Sequence, residues 1–123
     1  MHTRRTIHAG VLAAVFFLSP AFADKTSVEI QAPESAAIGS KITVTVRVIH
    51  EGNNFFHYTD WVYLKANGKE IALWEFTRGA RPESEVFSRQ VEYTVNGPVE
   101  FEAQGHCNIH GSTGSRKLTV KVR

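Results

Sequence analysis

From residue 41 the chain alternates. In "KITVTVRVIH" (41–50), Ile42, Val44, Val46 and Val48 fall on one face and Thr43, Thr45 and Arg47 on the other. That is period two, the pattern of a half-buried strand. "VEFEAQG" (99–105) repeats it, with Val99, Phe101 and Ala103 set against Glu100, Glu102 and Gln104. "SVEIQAP" (27–33), "HYTDWVYLKA" (57–66), "EIALWEFT" (70–77), "SEVFSRQVEYTV" (84–95) and "SRKLTVKVR" (115–123) read as further strands. "NGK" between "HYTDWVYLKA" and "EIALWEFT" is a hairpin signal, and "NGP" marks another turn. No helical periodicity follows residue 24, and no internal repeat or low-complexity segment breaks the chain. The expected fold is all-β: an immunoglobulin-like antiparallel β-sandwich of about seven strands, with a small antiparallel barrel as the alternative.

The alternation also aims side chains. Val44, Val46 and Val48 lead in steps of two to His50, so the core face of that strand ends in an imidazole. Val99, Phe101, Ala103 and Gly105 lead likewise to Cys107, while His106 shares the solvent face with Gln104. Parity turns Arg47 away from His50.

The first 23 residues do not fit the strand pattern. They have a basic start, an apolar run from Ala9 to Leu18 and a small-residue end at Ala21-Phe22-Ala23. This is the layout of a signal peptide cleaved before Asp24, and "TRRTI" resembles a twin-arginine signal. The expected organisation is a leader over 1–23 and one β-sandwich domain over 24–123, periplasmic or secreted, with no stable membrane insertion after cleavage. Arg4 and Arg5 carry the excess charge; without them 12 Lys and Arg balance 12 Asp and Glu. A near-neutral domain without a basic run offers no nucleic-acid surface. Homo-oligomeric assembly is compatible with such a domain.

Cys107 is the only cysteine, so it has no intramolecular disulfide partner, and an exported free thiol is a liability. It stands in "GHCNIHG" (105–111), three residues before His110. His50 and His57 bracket the loop "EGNNFF". Each alone has a plain structural reading: a strand-end histidine, a small buried hydrophobe, a chance Cys-x-x-His. Together, His50, His57, Cys107 and His110 form a candidate metal site. A thiolate with imidazoles suits iron, copper or zinc rather than calcium or magnesium.

"CNIHG" (107–111) resembles the segment that closes the iron site of superoxide reductases, the neelaredoxin and desulfoferrodoxin family. "HYTDWVYL" (57–64) is similar to that family's His-aromatic-acidic strand, and "HEGNNFFH" (50–57) stands where the family has two histidine ligands flanking a loop. The resemblance implies an immunoglobulin-like fold and a mononuclear non-haem iron held by four equatorial histidines and one axial cysteine thiolate. It implies reduction of superoxide to hydrogen peroxide, with an external electron donor protein as partner. Carried over, Cys107 is the axial ligand, and His50, His57 and His110 are three of the equatorial ones. The family's N-terminal Glu-Lys-His segment has no counterpart, since no histidine lies between Asp24 and Arg47. The fourth equatorial position is then water, His106 or nothing. Three histidines and a thiolate also suit a non-catalytic metal-binding or electron-transfer module holding copper or zinc. A cupredoxin-type axial methionine is absent, because Met1 is the only methionine.

Overall fold

The valine row of residues 44–48 does become the centre of a core. A computed structural model of the protein describes residues 25–123, so the leader expected over 1–23 lies outside the described residues. The described residues form eight strands: β1 (Ser27–Gln31), β2 (Ser35–Ala36), β3 (Lys41–Ile49), β4 (Thr59–Ala66), β5 (Lys69–Glu75), β6 (Val86–Thr94), β7 (Val99–Cys107) and β8 (Arg116–Val122). They build a three-stranded sheet of order β1-β3-β6 and a five-stranded sheet of order β2-β8-β7-β4-β5. Every pairing is antiparallel except the short one between β2 and β8. The two sheets and their one-sided burial make this the expected immunoglobulin-like sandwich.

Val44, Val46 and Val48 of β3 are completely buried, as are Val62 and Leu64 of β4, Phe101 and Ala103 of β7 and Val120 of β8. Burying one such aliphatic side chain is worth about 1.5–3 kcal/mol, so this row holds the layers together. At the "NGK" hairpin Asn67 and Gly68 both have positive φ, 49° and 83°, as a type I′ turn between β4 and β5 requires. "NGP" does different work: β6 and β7 lie in different sheets, so it carries the chain across the sandwich. β2 is the addition to the seven expected strands; with two residues it has no alternation to read.

Two crossings place the site. The chain leaves β3 in one sheet and enters β4 in the other, so the loop 50–58 spans one end of the sandwich. β7 runs antiparallel to β4, so its last residue, Cys107, lies opposite Thr59 at that same end. There the sheets approach closely. A Cβ on Gly105 would stand 2.7 Å from Thr26 Cγ2 and 3.3 Å from Val28 Cγ1. Only glycine lets β1, with Thr26 just before it, and the end of β7 come this near.

Candidate metal centre

β7 stays regular through Cys107, so parity holds and the thiol side chain is fully buried. His50 follows the last residue of β3 and is fully buried too. Its Nε2 lies 3.1 Å from His57 Nε2. The ligand atoms of His50, His57 and Cys107 all lie within 4.8 Å of one another. His110 completes the group from the exposed side: its Nδ1 is 3.0 Å from His57 Nε2 and 3.9 Å from Cys107 Sγ. The structure therefore brings together all four residues picked out in the sequence, with His57 in the middle.

The tautomer of His50 follows from its neighbours. Asn53 Nδ2 donates to Ser84 O at 2.9 Å, and Asn53 Oδ1 accepts from Thr59 N at 2.8 Å, so the amide can face only one way. The same Oδ1 lies 2.7 Å from His50 Nδ1. An amide oxygen only accepts, so Nδ1 carries the proton and Nε2 presents its lone pair toward His57. Thr59 Oγ1 supports the same edge of the ring at 3.1 Å and touches Thr26 Oγ1 at 3.1 Å. Metal-binding imidazoles are commonly oriented through their second nitrogen in this way. Asn53→Leu is expected to weaken metal binding about 10–100-fold, and competition with a chromogenic chelator measures it.

Around Cys107 the backbone closes a turn. Cys107 N donates to Gly111 O at 2.8 Å and Gly111 N to Cys107 O at 3.0 Å. Gly111 has φ 82°, the left-handed conformation that glycine adopts without penalty. Inside the turn the amides of Ile109 and His110 donate to Cys107 Sγ at 3.4 and 3.3 Å. Such hydrogen bonds to a thiolate help set the potential of a metal it holds. Asn108 clips this turn to the histidine loop: its backbone N donates to Tyr58 O, its Oδ1 accepts from Tyr58 N, and its Nδ2 donates to Phe56 O. Residues 111–114 are tied down beside the site, with Thr26 N bonded to Gly111 O and Thr113 N to Thr26 O.

Neither Asn53 nor Asn108 stands out in the sequence, since asparagine is ordinary in loops. The available signal is position: Asn53 is three residues after a strand-end histidine, and Asn108 lies inside the Cys-x-x-His pair.

His106 does not join the cluster. A bulge in β4 between Thr59 and Trp61 puts two outward residues opposite one position of β7. Both engage His106: Asp60 Oδ1 lies 2.7 Å from its Nδ1, and the Trp61 ring stacks on it at 4.9 Å and 6°. Trp61 in turn stacks on Tyr63, whose hydroxyl lies within hydrogen-bond distance of Glu102 Oε2 and Gln104 Oε1. Burial, and then the Glu102 carboxylate, push the Tyr63 phenol above its ordinary range. His106→Gln is expected to leave metal content unchanged by elemental mass spectrometry. Glu51 is exposed, and Arg47 pairs with Glu29 at 3.1 Å on the far face.

A buried thiol and three convergent imidazole nitrogens on an immunoglobulin-like sandwich define a candidate metal-binding domain of the His/Cys type. More narrowly, the chain belongs to the desulfoferrodoxin family, whose model matches residues 21–113. Its fold is similar to that of a superoxide reductase (neelaredoxin) from Ignicoccus hospitalis, with a TM-score of 0.71 and 19% identity over 87% of this chain and 89% of that one. The reduced form of the superoxide reductase (neelaredoxin) from Archaeoglobus fulgidus gives a TM-score of 0.59 and 20% identity, covering 85% of this chain and 96% of that one. A putative superoxide reductase from Thermotoga maritima gives 0.59 and 24%, covering 77% and 86%. No curated protein matches the chain.

Proposed function

We propose that the chain is an exported, periplasmic or secreted, mononuclear non-haem iron protein that reduces superoxide to hydrogen peroxide. The observation that carries this reading is the convergence of His50 Nε2, His57 Nε2, His110 Nδ1 and Cys107 Sγ, in a chain of the desulfoferrodoxin family. The donor set fits iron: nitrogen and thiolate atoms meet in one place, and Asn53 presents the lone pair of the buried His50. Iron held by these residues would supply the one electron that superoxide gains.

The chain's own residues do the rest. His50, His57, His110 and Cys107 would hold the metal, and Cys107 would donate electron density to it through its sulfur. The amides of Ile109 and His110 moderate that donation. The exposed imidazole of His110 marks the side from which substrate and protons arrive. Superoxide takes one electron and two protons to become hydrogen peroxide, and the site is oxidised by one electron.

Pulsing superoxide onto the ferrous protein tests this. Superoxide is expected to disappear at a rate set by protein concentration, with one peroxide formed per superoxide. Half that yield would mean dismutation, and no acceleration would remove the enzymatic reading.

One observation favours a second reading, a non-catalytic centre that binds or transfers electrons. His106, the other histidine among the described residues, is turned outward to Asp60. Three nitrogens and one sulfur make a complete four-coordinate set for zinc or copper. Stoichiometric zinc or copper in protein taken from its native compartment would select it.

A further inference from the structure

Superoxide reduction consumes an electron at each turnover, and the sequence holds only the one cysteine and no haem-attachment motif to supply a second redox centre. On the proposed reading an external donor delivers electrons close to the cluster. The surface beside the cluster exposes apolar side chains.

Three of the six large hydrophobic side chains that the described residues expose lie on the two site loops: Phe56 at 71%, Ile109 at 59% and Phe55 at 50%. They belong to one patch. Asn108, the neighbour of Ile109, donates to Phe56 O, and the rings of Phe55 and Phe56 meet edge to face at 5.2 Å. His110 is exposed next to Ile109, so the patch runs up to a candidate ligand. Two guanidinium groups border it. Arg78 lies 5.2 Å and Arg81 5.8 Å from the centre of the Phe55 ring. Arg78 Nε donates to Phe55 O, and Arg81 donates to Arg78 O, so both are fixed in place.

Neither arginine is neutralised by a carboxylate among the described residues, whereas Arg47 and Arg89 both are. Glu83 is held by Arg89, and Glu85 accepts the amide of Gly52. An apolar centre flanked by unpaired cations is the anatomy of an interface for a partner of opposite charge.

We infer that Phe55, Phe56 and Ile109, with Arg78 and Arg81 at their edge, are the docking surface for a small acidic one-electron donor protein. This rests on the proposed redox function of the same site. The donor's acidic rim meets the arginines, and its redox centre faces His110 across the apolar contact. One electron passes from the donor's reduced centre to the ferric site, which becomes ferrous. No bond is made or broken.

The test uses a plant-type [2Fe–2S] ferredoxin as the acidic donor. Binding is read first, by NMR titration of the zinc-loaded mature protein, which needs no iron chemistry. Shifts are expected at Phe55, Phe56, Ile109 and Arg78, fading as salt rises. Reduction of the iron-loaded protein is then followed by stopped flow. An R78E/R81E variant is expected to lose about tenfold or more in rate at low salt and to reverse its salt dependence. Phe56→Ser is expected to slow reduction while leaving the salt dependence unchanged. Metal content and thermal midpoint confirm that each variant is intact.

Wild-type shifts elsewhere, or none, would overturn the assignment, as would equal rates in wild type and the charge-reversed variant. Shifts that instead grow with the protein's own concentration, or on adding anionic lipid vesicles, would give the patch to self-association or to a membrane. Ferredoxin binding at the patch with no reduction of a metal-loaded site would retain the surface and remove the redox function, so the two failures are distinguishable.

Discussion

Cys107→Ala, recovered from its native compartment beside the wild type, is expected to carry almost none of the metal that the wild type carries at one per chain. Cys107 is the one member of the group His50, His57, Cys107 and His110 that would bind a metal as an anion. Without it three neutral imidazoles face a cation whose charge nothing in the group offsets. Losing a group that merely orients a ligand costs about 10–100-fold in affinity. Losing a charged ligand itself is expected to cost more, enough to empty the site during purification. Any visible thiolate-to-metal absorption disappears as well. The fold is expected to survive: alanine is small and apolar, and the turn is closed by the Cys107–Gly111 backbone pair, which the substitution keeps. Elemental mass spectrometry with circular dichroism on the same samples checks both halves. Equal metal in wild type and variant would remove Cys107 from the centre and leave the histidines to explain binding alone.

Much of this arrangement is legible in the chain, for a definite reason. Period-two alternation reports which way side chains point, and His50 and Cys107 each continue a buried row by one step. Where the strand stays regular, parity alone places an imidazole and a thiol inside and His106 outside. What alternation does not report is what happens where it stops. His57 lies before β4, in a loop whose path depends on the Asn54 side chain capping the amides of Phe56 and His57. The bulge at Asp60 breaks the step of two, so Thr59 and Val62 are both buried while Asp60 and Trp61 face outward together. Pairing order is equally hidden: "NGK" and "NGP" look alike in sequence, yet one closes a hairpin and the other crosses the sandwich. The hydrogen bonds that fix His50 are long range in part, since Asn53 relies on the carbonyl of Ser84 thirty-one positions away. Local pattern carries no trace of such a partner.

Gly52→Ala is expected to damage the site from a position that contributes no ligand atom. Gly52 has φ 115°, a conformation L side chains rarely adopt, so alanine there strains the backbone. The added Cβ would also stand 2.8 Å from His57 Nδ1 and 3.2 Å from its Cε1. The ring has little freedom to yield. Its backbone is held by Asn54 at both its amide and its carbonyl, and its other edge faces His50 and His110. Strain and overpacking together are expected to cost about 1–3 kcal/mol. In a domain of this size each kcal/mol lowers the thermal midpoint by roughly 4–8 °C. If the loop relaxes instead, His57 Nε2 moves off the point midway between His50 and His110, and metal affinity falls about 10–100-fold. The two outcomes trade against each other, so calorimetry and a chelator competition belong on the same preparation. A variant that keeps both its midpoint and its affinity would mean the loop 50–57 can be re-formed without the glycine, and that the site's geometry is set by β7 and its turn alone.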